Sequence, residues 1–209
     1  FALNDWLVGD IYNHPDKSTP TSALYKILKS RGHNMGKIFA EFAARITTWD
    51  WPRSDHGPGY ADAEQRSYKR LFNKNSKQDN PIPDEEVDNK IIFSYGANGT
   101  GSNWKSVPRR YMIGSWAFNA YEVSVDSTAN YKVGVMPALS NPNYAEFRAR
   151  VVVYDKSTGK RTYHVLKVGS PGEKSTIDVK ANGGDKLYLV VSSTPSTVFS
   201  GWDAYDYKY

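Results

Sequence analysis

The chain has 209 residues, a formal net charge of +5, no cysteine and 14% aromatic residues, among them 15 Tyr and 6 Trp. That length suffices for one large domain or two small ones with a substantial core. The lack of Cys excludes disulfides, thiolate zinc sites and thiol catalysis. No apolar run approaches the ~18–20 residues needed to cross a bilayer, so no membrane span is expected. The densest basic clusters, RSYKR at 66–70 and PRR at 108–110, lack the basic–aromatic interleaving of a nucleic-acid binder, and nucleic acid is not expected as a partner.

The chain opens on Phe1, not Met, and is expected to be a processed or truncated product. Leu3, Trp6, Leu7, Asp10 and Ile11 fall at helical spacing, and His14-Pro15 ends that helix because proline disfavours α geometry before it. Thr19 and Pro20 suit the N-cap and first position of the next helix, whose apolar face is Leu24, Ile27 and Leu28 up to Arg31-Gly32. Asn34 caps a third helix. Its stripe is Met35, Ile38, Phe39, Phe42 and Ile46, and Pro52 forbids its continuation beyond TTWDW. Residues 60–73 suit one more helix, and the polar, proline-containing stretch 74–89 reads as a connector.

From Lys90 the period changes to two. IIFSY at 91–95 is a first strand, followed by alternation at Tyr121, Val123 and Val125, and at Tyr131, Val133 and Val135. Phe147, Ala149, Val151 and Val153 continue it, as do Tyr163 and Val165, Ile177 and Val179, and Leu187, Leu189 and Val191. YDKSTGKR at 154–161 and ANGGD at 181–185 read as turns, with Gly159 available for positive φ. Roughly seven to nine short strands at even spacing indicate a sandwich. The expected class is α+β: a helical lobe over 1–73, a connector over 74–89, and an antiparallel, jelly-roll-like β-sandwich over 90–209.

The Ser/Thr-Pro helix start, the YKIL helix and FAEFAARITTWDW together resemble secreted bacterial proteins of the Svx type, virulence and avirulence factors of plant-associated bacteria. That family carries a domain of unknown function and a gluzincin-like zinc motif. The resemblance covers roughly residues 18–52. It implies the C-terminal part of an extracellular zinc metallopeptidase, acting on a protein or peptide in the plant cell wall or apoplast. HExxH does not occur in these 209 residues, so the zinc ligands are expected on an upstream fragment that would be this chain's partner.

Candidate chemistry is sparse. His14, His33, His56 and His164 show no metal-ligand spacing, so no metal site is expected in this chain. His56 and Tyr60, in SDHGPGY, are candidate donors to a substrate oxyanion, against the plainer reading of a structural turn. Asp84, Glu85, Glu86 and Asp88 read as a solvated acidic segment. GANGTG at 96–101 lacks the Lys-Ser/Thr of a phosphate loop. There is no GxSxG. Trp104, Trp116, Trp202 and Tyr205, with Tyr207 and Tyr209, are candidates for an aromatic platform on which sugars stack, against the plainer reading of core and sheet-edge packing. Three functions stand open: part of a metallopeptidase, a non-catalytic carbohydrate- or surface-binding module, and a structural interaction protein.

Overall fold

The structure is a computed structural model, and it describes residues 20–48, 92–95, 104–107, 109, 112–141, 145–195 and 204–209. The expected helices at 1–14 and 60–73 and the connector at 74–89 lie outside the described residues.

Helix α1 spans Pro20–Ser30 and helix α2 spans Met35–Thr48. The turn between them is written in local chemistry. Gly32 adopts φ +76°, its N–H donates to the Lys29 carbonyl at 3.0 Å, and the His33 N–H donates to the Leu28 carbonyl at 2.8 Å. These are the paired bonds of a Schellman stop, which needs a left-handed residue that glycine supplies without strain. Asn34 Oδ1 then accepts the Lys37 N–H at 2.9 Å and caps α2.

Ten strands follow among the described residues. They are β1 Ile92–Tyr95, β2 Ile113–Gly114, β3 Ala117–Ser124, β4 Ala129–Pro137, β5 Phe147–Tyr154, β6 Arg161–Leu166, β7 Ser175–Ala181, β8 Lys186–Ser193, β9 Ala204–Tyr205 and β10 Tyr207–Lys208. One sheet has the order β1-β3-β8-β5-β6, a second has β10-β4-β7, and β2 pairs with β9. Residues 105–107 extend the second sheet by bonding to Tyr207 and Tyr209. The expected turns are present, with Gly159 at φ +71° and Gly184 at φ +91°. The pairing is antiparallel except for β1 with β3, which run parallel. The chain is therefore α+β, and its β region is a sandwich.

Period-two alternation explains the interior. Tyr121, Val151, Val153, Leu187, Leu189 and Val191 from the first sheet meet Val135, Val179, Ala181 and Tyr207 from the second. The other face of the first sheet is covered as well. Ala120, Val152, Tyr188 and Val190 form a second cluster with Ala43 and Ala44 of α2. Burial on both faces is why β5 and β8 carry the unbroken apolar runs VVVY and LYLVV.

The face of α2 differs from the expected stripe. The buried positions are Met35, Gly36, Ala40, Ala43, Ala44 and Thr47, whereas Ile38, Phe39 and Ile46 are half-buried and Phe42 is exposed. The sheet face below already projects Tyr188, Val190 and Val152, so the helix approaches with its small residues and its large ones flank the contact.

Candidate functional site

The candidate aromatics do not share one surface. Trp104 is half-buried on the outer side of the second sheet, seated above Gly134, where a Cβ would stand 2.7 Å from its Cη2. Lys174 Nζ lies 5.9 Å from the centre of the Trp104 ring. Trp116 stands at φ +56° in the turn before β3 and meets Phe39 of α2 edge to face, ring centres 5.7 Å apart. Tyr205 is only 1% exposed. Its hydroxyl bonds to Ser115 Oγ at 3.0 Å and its ring meets Phe147 edge to face. As a stacking residue it is corrected: period-two alternation turns Tyr205 and Tyr207 into the interior, where no sugar reaches them. His56, Tyr60 and Trp202 lie outside the described residues.

The structure does form a cleft at one end of the sandwich, with a volume of about 670 Å³. It lies where β4 ends, β5 begins and the chain leaves β6 for β7. Pro137, Ala145, Phe147, Val168 and Pro171 supply apolar lining. Glu146, Arg148, Lys167, Ser170 and Glu173 supply the polar groups, two cations and two carboxylates whose formal charges cancel. The volume lies within the usual range of small-molecule sites, and the wall is more polar than is usual for them.

Arg148, Glu146 and Glu173 are held in place. Arg148 donates from Nε to Thr194 Oγ1 at 2.9 Å and from Nη2 to Glu146 Oε2 at 3.2 Å. Glu146 sits at φ +32°, a backbone conformation that non-glycine residues rarely adopt. It is pinned there because its carbonyl accepts both the Thr194 N–H at 3.0 Å and the Thr194 hydroxyl at 3.1 Å. Observed strain at a rim residue is a recurrent feature of ligand sites. Glu173 folds over Gly169, and its Oε2 accepts the Ser170 N–H at 3.0 Å. Gly172 closes the same loop at φ +83°, donating to the Pro137 carbonyl at 2.7 Å. Asn141, also on the cleft wall, spends its side chain on the backbone N–H and carbonyl of Asp206, tying the C-terminal strands to the rim.

These cleft residues were not singled out by the sequence patterns. The available signal was Lys167 followed by the turn tetrapeptide Ser170-Pro-Gly-Glu173, which marks a tight loop between two strands. Nothing local connects it to Arg148.

No protein-family model matches the chain. No curated protein matches it either. Among solved structures, it is similar to the pre-peptidase C-terminal domain of a collagenase from Bacillus anthracis, at 18% identity over 57% of this chain and 92% of that one, with a TM-score of 0.36. It is also similar to Xyl-CBM35 in complex with a glucuronic-acid-containing disaccharide, at 16% identity over 57% of this chain and 80% of that one, TM-score 0.28. A third is CBM35 of Abf62 from Cellvibrio japonicus, at 16% identity over 56% of this chain and 79% of that one, TM-score 0.28.

Proposed function

We propose that this chain is an accessory β-sandwich module that attaches a larger extracellular protein to neutral carbohydrate through the end cleft. The observation that carries the reading is the make-up of the cleft, a mostly polar wall of zero formal charge interspersed with the apolar groups of Pro137, Ala145, Phe147, Val168 and Pro171. A sugar presents C–H faces and hydroxyls, and each hydroxyl both donates and accepts. Arg148 and Lys167 donate to hydroxyl oxygens, while Glu146 and Glu173 accept hydroxyl protons. A ligand with net charge would meet repulsion from half of this rim.

Titration with cellobiose, xylobiose, mannobiose and galactobiose, followed by amide NMR, tests the reading. Millimolar or tighter binding to at least one sugar is expected, with shifts centred on 146–148 and 167–173. Arg148→Ala then weakens that binding about tenfold, the worth of a hydrogen bond from a charged group. No shift in the cleft with any of these sugars at tens of millimolar rules it out.

The resemblance to Svx-type proteins supports a second reading, in which the parent is a secreted zinc metallopeptidase and this chain is its C-terminal part. The observation in its favour is the seating of α2 on the first sheet, which joins the helices and the sandwich as a cleft wall requires. No three His, Asp or Glu side chains gather to hold a metal among the described residues, so no hydrolytic step is assigned to them. Native mass spectrometry with metal analysis of the purified parent is the test. A tightly held second polypeptide carrying zinc supports this reading, and a parent without zinc removes it.

A further inference from the structure

We infer that Gly36 of α2 is a positioning residue for Arg148, so that the cleft is complete only while the helical hairpin is docked on the sheet. This rests on the cleft as the binding site. Gly36 is the second residue of α2 and is buried. A Cβ built there would lie 2.5 Å from Arg148 Nε, 2.8 Å from Thr194 Oγ1 and 3.1 Å from Arg148 Cζ. All three atoms belong to one hydrogen-bonded pair. The helix backbone thus forms the roof over the bond between Arg148 and Thr194, and a single methyl group there meets the atoms of that bond.

The sequence around Gly36 offers no other reason for glycine. Its φ is not positive, so no left-handed turn requires it, and glycine is a poor helix former. What glycine permits here is the close approach. Nor does charge attract the guanidinium to this spot, because a cation beside the first turn of a helix faces the positive end of its dipole. Glu146 offsets that on one side, and packing beneath Gly36 fixes the other.

The geometry chains three elements together. Thr194 follows β8, is 1% exposed, and accepts from Arg148 Nε while its own hydroxyl proton goes to the Glu146 carbonyl. The bonded edge of the guanidinium lies under the helix, and Arg148 also lines the cleft. If α2 lifts, water reaches Nε, the bond to Thr194 competes with solvent, and the cation leaves its fixed position.

The test uses the whole chain and the Nε–Hε NMR signal of Arg148, assigned by its loss in Arg148→Lys. In the wild type this proton is expected to exchange slowly with solvent, because it is bonded to Thr194 Oγ1. In Gly36→Ala the fold persists and the Arg148 signal is expected to shift and lose its protection. Binding of whichever neutral disaccharide the wild type takes is expected to fall about tenfold. In an Arg148→Ala background the Gly36→Ala change is expected to cost nothing further, which a general loss of stability would not reproduce. Should Gly36→Ala not fold, Ala44→Leu carries the test, because it crowds the contact two turns away and leaves Gly36, Arg148 and Thr194 intact. An Arg148 Nε proton that stays protected in the folded variant overturns the inference. The NMR readout needs no ligand, so failure of every sugar to bind removes the carbohydrate reading and leaves the positioning claim to stand or fall by itself.

Discussion

Glu41 of α2 holds two arginines at once: Arg45 one turn along its own helix at 2.9 Å, and Arg150 of β5 at 3.5 Å. The Arg150 side chain is 12% exposed and that of Glu41 22%, so the contact is largely shielded from water. It lies between the Gly36–Arg148 approach and the far end of the helix, where Arg161 donates to the Thr48 carbonyl at 3.3 Å. The helix is therefore tied to the sheet along its length.

Glu41→Gln keeps the shape and removes the charge, leaving Arg150 poorly compensated near the interior. Stability is expected to fall by about 1–3 kcal/mol, since an unpaired, mostly buried charge costs more than a surface pair returns. Urea unfolding reads this as a lower midpoint with an unchanged slope.

Asp155 opens the β5–β6 turn and accepts from the Ser157 hydroxyl at 2.6 Å, the Thr158 hydroxyl at 2.7 Å and the Ser157 N–H at 2.8 Å. Those bonds, the Ser157 hydroxyl first and the Thr158 hydroxyl second, lower its pKa from 3.8 to about 2. A folded-state pKa below the unfolded one means stabilisation that is complete above the unfolded value and lost as pH falls through the folded one. Wild type is thus expected to lose stability relative to Asp155→Asn between pH 3.8 and about 2. Carbon-13 titration of the Asp155 carboxyl checks the midpoint, and a value near 3.8 refutes it.

Tyr207 is fully buried, and its hydroxyl bonds to both the Tyr121 hydroxyl and Asn119 Nδ2. Tyr207→Phe leaves both partners short of a bond inside the core. A loss of about 1–3 kcal/mol is expected, measurable by chemical denaturation. A near-zero change would show that the two partners find each other directly.

Gly134 is the seat of Trp104, so Gly134→Ala should push the indole off the second sheet. The expected result is a shifted fluorine NMR line for Trp104 in protein labelled with fluorotryptophan, identified by its loss in Trp104→Phe. A stability loss of about 1–3 kcal/mol should accompany it. An unmoved line would mean that Ser175 and Thr176 yield instead, as both stand 3.0 Å from the new carbon.

Local order was legible in the residues. Gly32 and Asn34 set the boundary between the helices because a left-handed stop and a side-chain cap act within a few positions. The inner face of β3, β4, β5, β7 and β8 could be counted off from alternate apolar residues, as at Leu187, Leu189 and Val191, because the pleat has a period of two. In β6 the expected pair misled, since Val165 is exposed and Leu166 faces the core. Gly159 marked its turn for the same local reason.

Position in space was a different matter. Ile38, Phe42 and Ile46 did not mark the buried contact of α2, since which stripe of a helix is buried depends on the relief of the surface it meets, and this sheet was already full. Trp104, Trp116 and Tyr205 share an aromatic character but were sent to three surroundings by strand register and helix docking. The end cleft depends on Glu146 and Arg148 meeting the loop at 167–173, with Thr194 and Gly36 behind them. By itself the sequence determined the two described helices, the turn between them and the inward face of most of the long strands, all set by interactions between near neighbours. The tertiary structure alone decided the site, because its lining comes from three separate stretches of chain between Pro137 and Glu173, backed by Gly36 and Thr194 from far along the sequence, and only packing brings them together.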